Sequence, residues 1–282
     1  MPNALFLLGS FLLLIQGVIM QAHSDNAVER EAIVLVAFGS TSPSTSKTYD
    51  KINNTFKNEF PNHHICWGFT SETVVKKLQE KGKNVLLVKD VIDGLKKTGY
   101  KSVVLQSLHI MPGEEFRNLC ELKIEGIEIT VGKPLLSSDK DINIMAEMLI
   151  SMCDSDRPTV IAAHGNEKFP EFNKPLFSLA SMIEQKCTNT VLCTIEGPPG
   201  TEPFSKILSS VQKNDAVEFI PLMLIAGVHV EEDLTGPDPE SWKNLLKVSN
   251  VKIAAPLGEQ LVVHQLFIAH CKDALNLKGL SK

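Results

Sequence analysis

Three side chains in the second half of this chain have the types and placement for metal and proton chemistry. His164 ends the apolar run Val160-Ile-Ala-Ala-His164 and precedes Gly165. Glu196 ends Thr194-Ile-Glu196 and precedes Gly-Pro-Pro-Gly200. His229 follows Leu222-Met-Leu-Ile-Ala-Gly227, with Glu231, Glu232 and Asp233 just beyond it. Each stands where a strand-like segment stops, and open α/β sheets place their chemistry at the carboxyl ends of strands. Two imidazoles and one carboxylate form a donor set for a borderline divalent cation with open coordination positions. A neutral imidazole can also accept a proton. The acids after His229 can fix its tautomer. A carboxylate ending an apolar strand is costly to bury unpaired, so Glu196 calls for a cation or a salt bridge.

Elements of two periods must position these groups. In the first half, Ala32–Phe38, His64–Phe69, Val103–Leu108 and Ile127–Val131 read as strands. Helical patterns cover Ser44–Glu59, Thr73–Gln79, Val85–Thr98 and Glu114–Ile124. In the second half the strands are Thr159–Ala163, Thr190–Ile195, Val217–Ile225 and Val251–Ala255, with helices at Phe172–Lys186, Pro203–Lys213, Ser241–Val248 and Glu259–Leu277. Continuous apolar runs of strand length alternating with helices predict parallel sheets buried on both faces.

The halves also correspond. Val34-Leu-Val-Ala-Phe38-Gly39 matches Val160-Ile-Ala-Ala-His164-Gly165, and Trp67-Gly-Phe-Thr70 matches Cys193-Thr-Ile-Glu196 at the same offset. The fold expected is therefore α/β, with two similar domains, each a parallel four-stranded sheet flanked by helices, and an active-site cleft between them. The domains span 30–137 and 138–258, the second carrying the metal site. Residues 259–282 form a C-terminal helix packing back across both. Phe38 at the position matching His164 indicates that the fold itself does not require histidine there.

With 282 residues and a net charge of −5, the chain is an acidic globular protein and a poor partner for nucleic acid. Leu5 to Met20 is uncharged and apolar, too short for a membrane span and suited to the core of an export signal. Residues 1–22 are expected to be a cleaved signal peptide, leaving a soluble periplasmic protein with no stable membrane insertion. Cysteines at 66, 120, 153, 187, 193 and 271 form no CxxC pair, which removes thiolate zinc and thioredoxin-type chemistry. Cys66 and Cys193 read as buried packing residues, and an exported chain has room for one or two disulfides.

The ordered set of motifs resembles the anaerobic sirohydrochlorin cobaltochelatases of cobalamin biosynthesis, class II tetrapyrrole chelatases related to ferrochelatase. The segments that carry this resemblance are Val36-Ala-Phe-Gly-Ser-Thr41, Gln106-Ser-Leu-His-Ile-Met-Pro-Gly-Glu-Glu115, Gly132-Lys-Pro-Leu-Leu-Ser137, His164-Gly165, the Glu196 strand, Pro221 to Gly227, Asp233-Leu-Thr-Gly236, and Leu257-Gly-Glu259 with His270. It implies a lyase that inserts Co²⁺, and Fe²⁺ as well, into sirohydrochlorin with release of two protons, using His164, Glu196 and His229 as metal-site and catalytic residues. Where the family commonly has an acid directly before the second histidine, this chain has Val228, which removes one expected partner of His229. Periplasmic members of the family agree with the export signal. His109 has three roles open to it: substrate contact, ligation of a haem at a subunit interface of a homo-oligomer, or capping of the next helix near Glu114. Ser40, Thr41 and Ser42 are candidate backbone donors to substrate carboxylates, and equally candidate helix caps. His23, His63, His64 and His264 read as solvated histidines. Two other functions fit the same residues: a periplasmic haem- or metal-binding protein on a chelatase fold, and a ferrochelatase.

Overall fold

A computed structural model describes residues 30–42, 45–225, 227 and 229–279. The expected export segment, His23, Ser44 and Val228 lie outside the described residues. The chain forms two four-stranded, wholly parallel sheets. In the first, β1 (Glu31–Ala37), β2 (His64–Phe69), β3 (Ser102–Ser107) and β4 (Glu128–Gly132) take the order β2-β1-β3-β4. In the second, β5 (Thr159–Gly165), β6 (Thr190–Glu196), β7 (Ala216–Leu222) and β8 (Asn250–Ile253) take the order β6-β5-β7-β8. The two halves thus share one topology, and β1 and β5 occupy equivalent interior positions.

The helices of the first half are α1 (Thr45–Glu59), α2 (Glu72–Glu80), α3 (Val88–Lys97) and α4 (Glu114–Glu121). Helix α5 (Asp139–Met152) opens the second half, followed by α6 (Lys174–Glu184), α7 (Leu208–Asn214), α8 (Trp242–Leu246) and α9 (Leu261–Gly279). Alternation along β1 shows why the sheet must be covered on both sides. Ile33 and Leu35 join one cluster with Phe56 of α1, Met145 of α5 and Phe267 of α9. Ala32, Val34 and Val36 join another with Val91 and Ile92 of α3. Helix α9 therefore returns to the first sheet, packing on β3, β4 and α1.

His270 of α9 ties this arrangement across the halves. Its Nε2 lies 3.2 Å from Asp141 Oδ1 at the start of α5, and its Nδ1 lies 3.1 Å from the Lys133 carbonyl just past β4. The ring thereby bridges the end of the first sheet and the first helix of the second half.

Several expectations shift. The strand expected to run to Ile225 ends at Leu222, because the next carbonyls turn to another partner. Met223 and Leu224 accept from the backbone N–H groups of Leu257 and Gly258. β5 and β6 run further than expected, through Gly165 and Glu196, which pair in register. The helix expected over Pro203–Lys213 divides into a 3₁₀ turn at Glu202–Lys206 and α7. His264 is not solvated. It is buried on α9, with Nε2 donating to the Gly258 carbonyl at 2.8 Å and Nδ1 3.0 Å from the Thr55 hydroxyl. It faces α1 and the 3₁₀ turn at Leu257–Glu259 rather than water. His63 is half-buried and His64 is exposed. All six cysteines are free thiols, so no disulfide is present. Among the described residues, no helix is long and apolar enough to cross a membrane.

Candidate active site

His164, Glu196 and His229 come together in a cavity of about 630 Å³ between the two sheets. Its walls come from both halves: Phe38, Ser40, Leu108 and His109 from the first, Leu222 and Met223 from the second, among others. This volume is typical of a small-molecule pocket.

Local backbone rules place the first two of these side chains. His164 is the penultimate residue of β5, and Gly165 turns the chain with φ of +79°, a conformation costly for residues with a Cβ. A Cβ at Gly165 would lie 2.1 Å from the Glu196 carbonyl oxygen. The two strand ends therefore approach one another only because residue 165 is glycine. Beyond Glu196, Thr194 pins the loop: its hydroxyl donates to the Gly197 carbonyl at 2.6 Å and accepts from the Gly200 N–H at 2.8 Å. Asn173, fully buried, joins both loops by donating to the carbonyls of Asn166 and Pro198, at 3.1 and 2.8 Å. No feature of the sequence singled out Asn173, since a buried asparagine at a helix start resembles a capping residue.

The hydrogen bonds decide which nitrogen each imidazole offers. His164 Nδ1 lies 3.1 Å from the Gly165 carbonyl, and His229 Nδ1 lies 2.7 Å from Asp233 Oδ2. Carbonyl and carboxylate oxygens only accept, so Nδ1 carries a proton in both rings, and in the neutral imidazole Nε2 is the nitrogen with the free lone pair. The rings meet edge to face with centroids 4.7 Å apart, and His164 Nε2 stands 3.9 Å from Glu196 Oε1. Two imidazoles and a carboxylate thus border one cavity, and all three are half-exposed. Among the described residues no group of three or more His, Cys, Asp or Glu side chains stands close enough to hold a metal ion as placed. An open set of this kind suits a metal in transit better than a structural one.

Asp233 answers the substitution at Val228. The expected acid beside His229 is missing from the preceding position, yet a π-helical turn at Val230–Leu234 brings Asp233 onto the same ring. Removing such a partner typically costs ten- to a hundredfold in metal affinity or activity. Asp233→Ala is accordingly expected to weaken Co²⁺ binding or slow insertion by about that factor, whereas Asp233→Asn keeps an acceptor and loses less. Parallel metal titration and turnover assays of the two variants check this; equal behaviour of Asp233→Ala and the parent would show that the carboxylate does not set the tautomer.

His109 borders the cavity, but its ring is turned into the wall. Nδ1 bonds the Ser107 hydroxyl at 2.9 Å, and Nε2 is buried without a hydrogen-bond partner among the described residues. It does not cap the following helix, whose N-cap is Gly113. Burial lowers its pKa to about 4. The unfolded chain then holds the extra proton between about pH 6.5 and pH 4. The stability linked to this group is complete above about pH 6.5 and falls on acidification, by up to about 3 kcal/mol. His109→Gln should therefore lose less stability than the parent between pH 7.5 and pH 5 in urea unfolding. Equal losses in both proteins would remove His109 from the acid limb.

Of the expected backbone donors, Ser40 and Thr41 line the cavity, while the Ser42 N–H is spent on the Ser40 hydroxyl at 3.2 Å. The cavity rim carries Lys168, paired across the cleft with Glu114 at 3.2 Å. Arg117 lies over the rings of Phe169 and Phe172 at 5.4 and 5.8 Å, also joining the two halves.

Known proteins match along most of the chain. The profile of the cobalt chelatase (CbiK) family matches residues 31–276. Sirohydrochlorin cobaltochelatase CbiKC of Nitratidesulfovibrio vulgaris is 28% identical, over 79% of this chain and 82% of that protein. The sirohydrochlorin cobaltochelatase of Salmonella typhimurium is 26% identical, over 88% of this chain and 97% of its own. In three dimensions, Bacillus subtilis SirB with Fe³⁺ superposes with a TM-score of 0.62 at 14% identity, covering 89% of this chain and 98% of that one. SirB from Bacillus subtilis subspecies spizizenii in complex with cobalt gives 0.56 at 17% identity, covering 89% and 97%. At such identities these structures speak to the fold.

Proposed function

The chain belongs to the cobalt chelatase (CbiK) family, and from that premise we propose that His164, Glu196 and His229 form the site at which it inserts Co²⁺ into sirohydrochlorin. The protein is a metal chelatase, a lyase of the sirohydrochlorin cobaltochelatase type that serves cobalamin biosynthesis. The observation that carries the site assignment is that two imidazoles, each bonded through Nδ1, and one carboxylate border the same cleft.

The macrocycle must shed two pyrrole N–H protons while the cation sheds water. His164 Nε2 holds the incoming metal and, once the metal has passed to the macrocycle, its freed lone pair takes one pyrrole proton as principal base. His229 Nε2 completes the grip and, freed in the same way, takes the second proton, with Asp233 stabilising positive charge on its ring. Glu196 offsets the charge of the cation. The substrate is a polycarboxylate, so Lys168 and the backbone N–H groups near Ser40 and Thr41 are suited to its rim.

Two nitrogens and a carboxylate without thiolate do not select strongly among first-row divalent ions. Fe²⁺ should therefore be inserted along with Co²⁺, while Cu²⁺ or Zn²⁺ binds tightly and inhibits. A haem on His109 is not favoured by the buried, inward-facing Nε2, and no step is assigned to it. Residues 1–22 are proposed to direct export to the periplasm; N-terminal sequencing of the mature protein from its host, with an intact Met1 in the cytosolic fraction as the contrary outcome, tests this.

The function itself is tested by following the absorbance of sirohydrochlorin with purified protein and Co²⁺. A rate above the uncatalysed background is expected, and its absence under anaerobic conditions would refute the reading. A parallel haem titration distinguishes a chelatase from a haem carrier on the same fold.

A further inference from the structure

β1 and β5 hold the same place in their sheets, each flanked by two parallel neighbours. Each leads into the same turn: Phe38 then Gly39 with φ of +103°, and His164 then Gly165 with φ of +79°. Phe38 is thus the counterpart of the principal metal-site histidine, presented from the other half of the molecule. Its side chain is 50% exposed, and among the exposed large apolar side chains of the described residues it alone lines the cavity. The apolar wall continues around it through Leu108, Ile110, Met111 and Val74. Keeping half of a phenylalanine in water forgoes the free energy of burying it, so the position is readily explained by an occupant that covers the ring.

Resting on the reading of the cleft as a tetrapyrrole site, we infer that Phe38 is the platform on which the macrocycle stacks, on the face opposite the metal donors. A tetrapyrrole offers a broad conjugated face and a carboxylate-bearing edge. The metal must approach from one face alone, and all three donors belong to the second half. The first half then has no use for a ligand at its matching position. An aromatic ring there contributes contact area and face-to-face or offset stacking. It also closes off one face, so that the pyrrole nitrogens are presented towards His164 and His229. Phe38 is accordingly a residue for substrate binding and orientation, and it takes no part in holding the cation.

The test separates macrocycle binding from metal binding in Phe38→Ala, Phe38→Tyr and His164→Ala. Metal-free sirohydrochlorin is titrated by absorbance, Co²⁺ is titrated without macrocycle, and turnover is measured with both. In Phe38→Ala, the dissociation constant of the macrocycle and KM should each rise about tenfold, with Co²⁺ binding unchanged. Phe38→Tyr should restore both constants. His164→Ala should show the reverse pattern, with the macrocycle bound and Co²⁺ binding and turnover lost. A Phe38→Ala protein that binds sirohydrochlorin as tightly as the parent overturns the inference, as does one whose Co²⁺ affinity falls by the same factor. If the parent protein itself neither binds nor metallates sirohydrochlorin, the proposed function fails first and the platform falls with it.

Discussion

Replacing His164 or His229 by alanine is expected to slow cobalt insertion by at least about a hundredfold, the scale of lost acid–base assistance. The two rings share the work of holding the cation and taking protons, so either loss leaves a single imidazole and Glu196 to hold it. The fold should barely respond. Both side chains are half-exposed, so their removal opens no sealed cavity. Their bonds are to Gly165 and Asp233, which water can satisfy. Turnover and thermal unfolding measured side by side check the two halves of this expectation. Near-normal insertion in both variants would sink the assignment of the site.

A second large effect is expected at Gly165. A left-handed conformation costs a non-glycine residue about 1–2 kcal/mol, and an added methyl group would meet the Glu196 carbonyl at 2.1 Å and Thr194 Cβ at 2.7 Å. Crowding of that kind adds about 1–3 kcal/mol. Gly165→Ala should therefore lose about 3 kcal/mol of stability and, because β5 and β6 must part, abolish insertion. Gly82→Ala is the control. Its φ of +73° is similar, but nothing lies within 4 Å of the added carbon. It should lose only about 1 kcal/mol and keep full activity. If Gly165→Ala unfolds at the same denaturant concentration as the parent, the strand ends are more yielding than their contact distances imply.

Much of this arrangement can be read before any coordinates are seen, for a physical reason. Parallel strands covered on both faces are near-continuously apolar, so β1 and β5 stand out as long runs, and β3 and β7 as runs interrupted only by Gln106-Ser107 and by Glu218. The two histidines and the glutamate are visible because each interrupts such a run at its end. What escapes is whatever depends on the path of the chain after a strand. The acids after His229 are legible as partners of its ring, but which one reaches it is not: Asp233 does so through a π-helical turn that no periodicity announces. The early end of β7 follows from carbonyls claimed by a turn more than thirty residues away. His264 resembles any other polar residue on a helix until α9 is laid against α1. Phe38 is conspicuous as a departure from the doubled pattern, but its exposure is a property of the cleft.

The return of α9 has a bearing on how the protein is made. Val263, Phe267 and Cys271 help to fill the face of the first sheet that carries Ile33, Leu35 and Val104. These residues are synthesised after the whole of the second sheet. Domains near the amino terminus generally fold first during translation, yet here the first sheet emerges without one of its covering helices. Its apolar face stays open until the second sheet and α9 have also been made. The two halves, alike as they are in topology, are therefore not independent folding units, and a chain stopped short of Leu261 would leave the first half with an uncovered core.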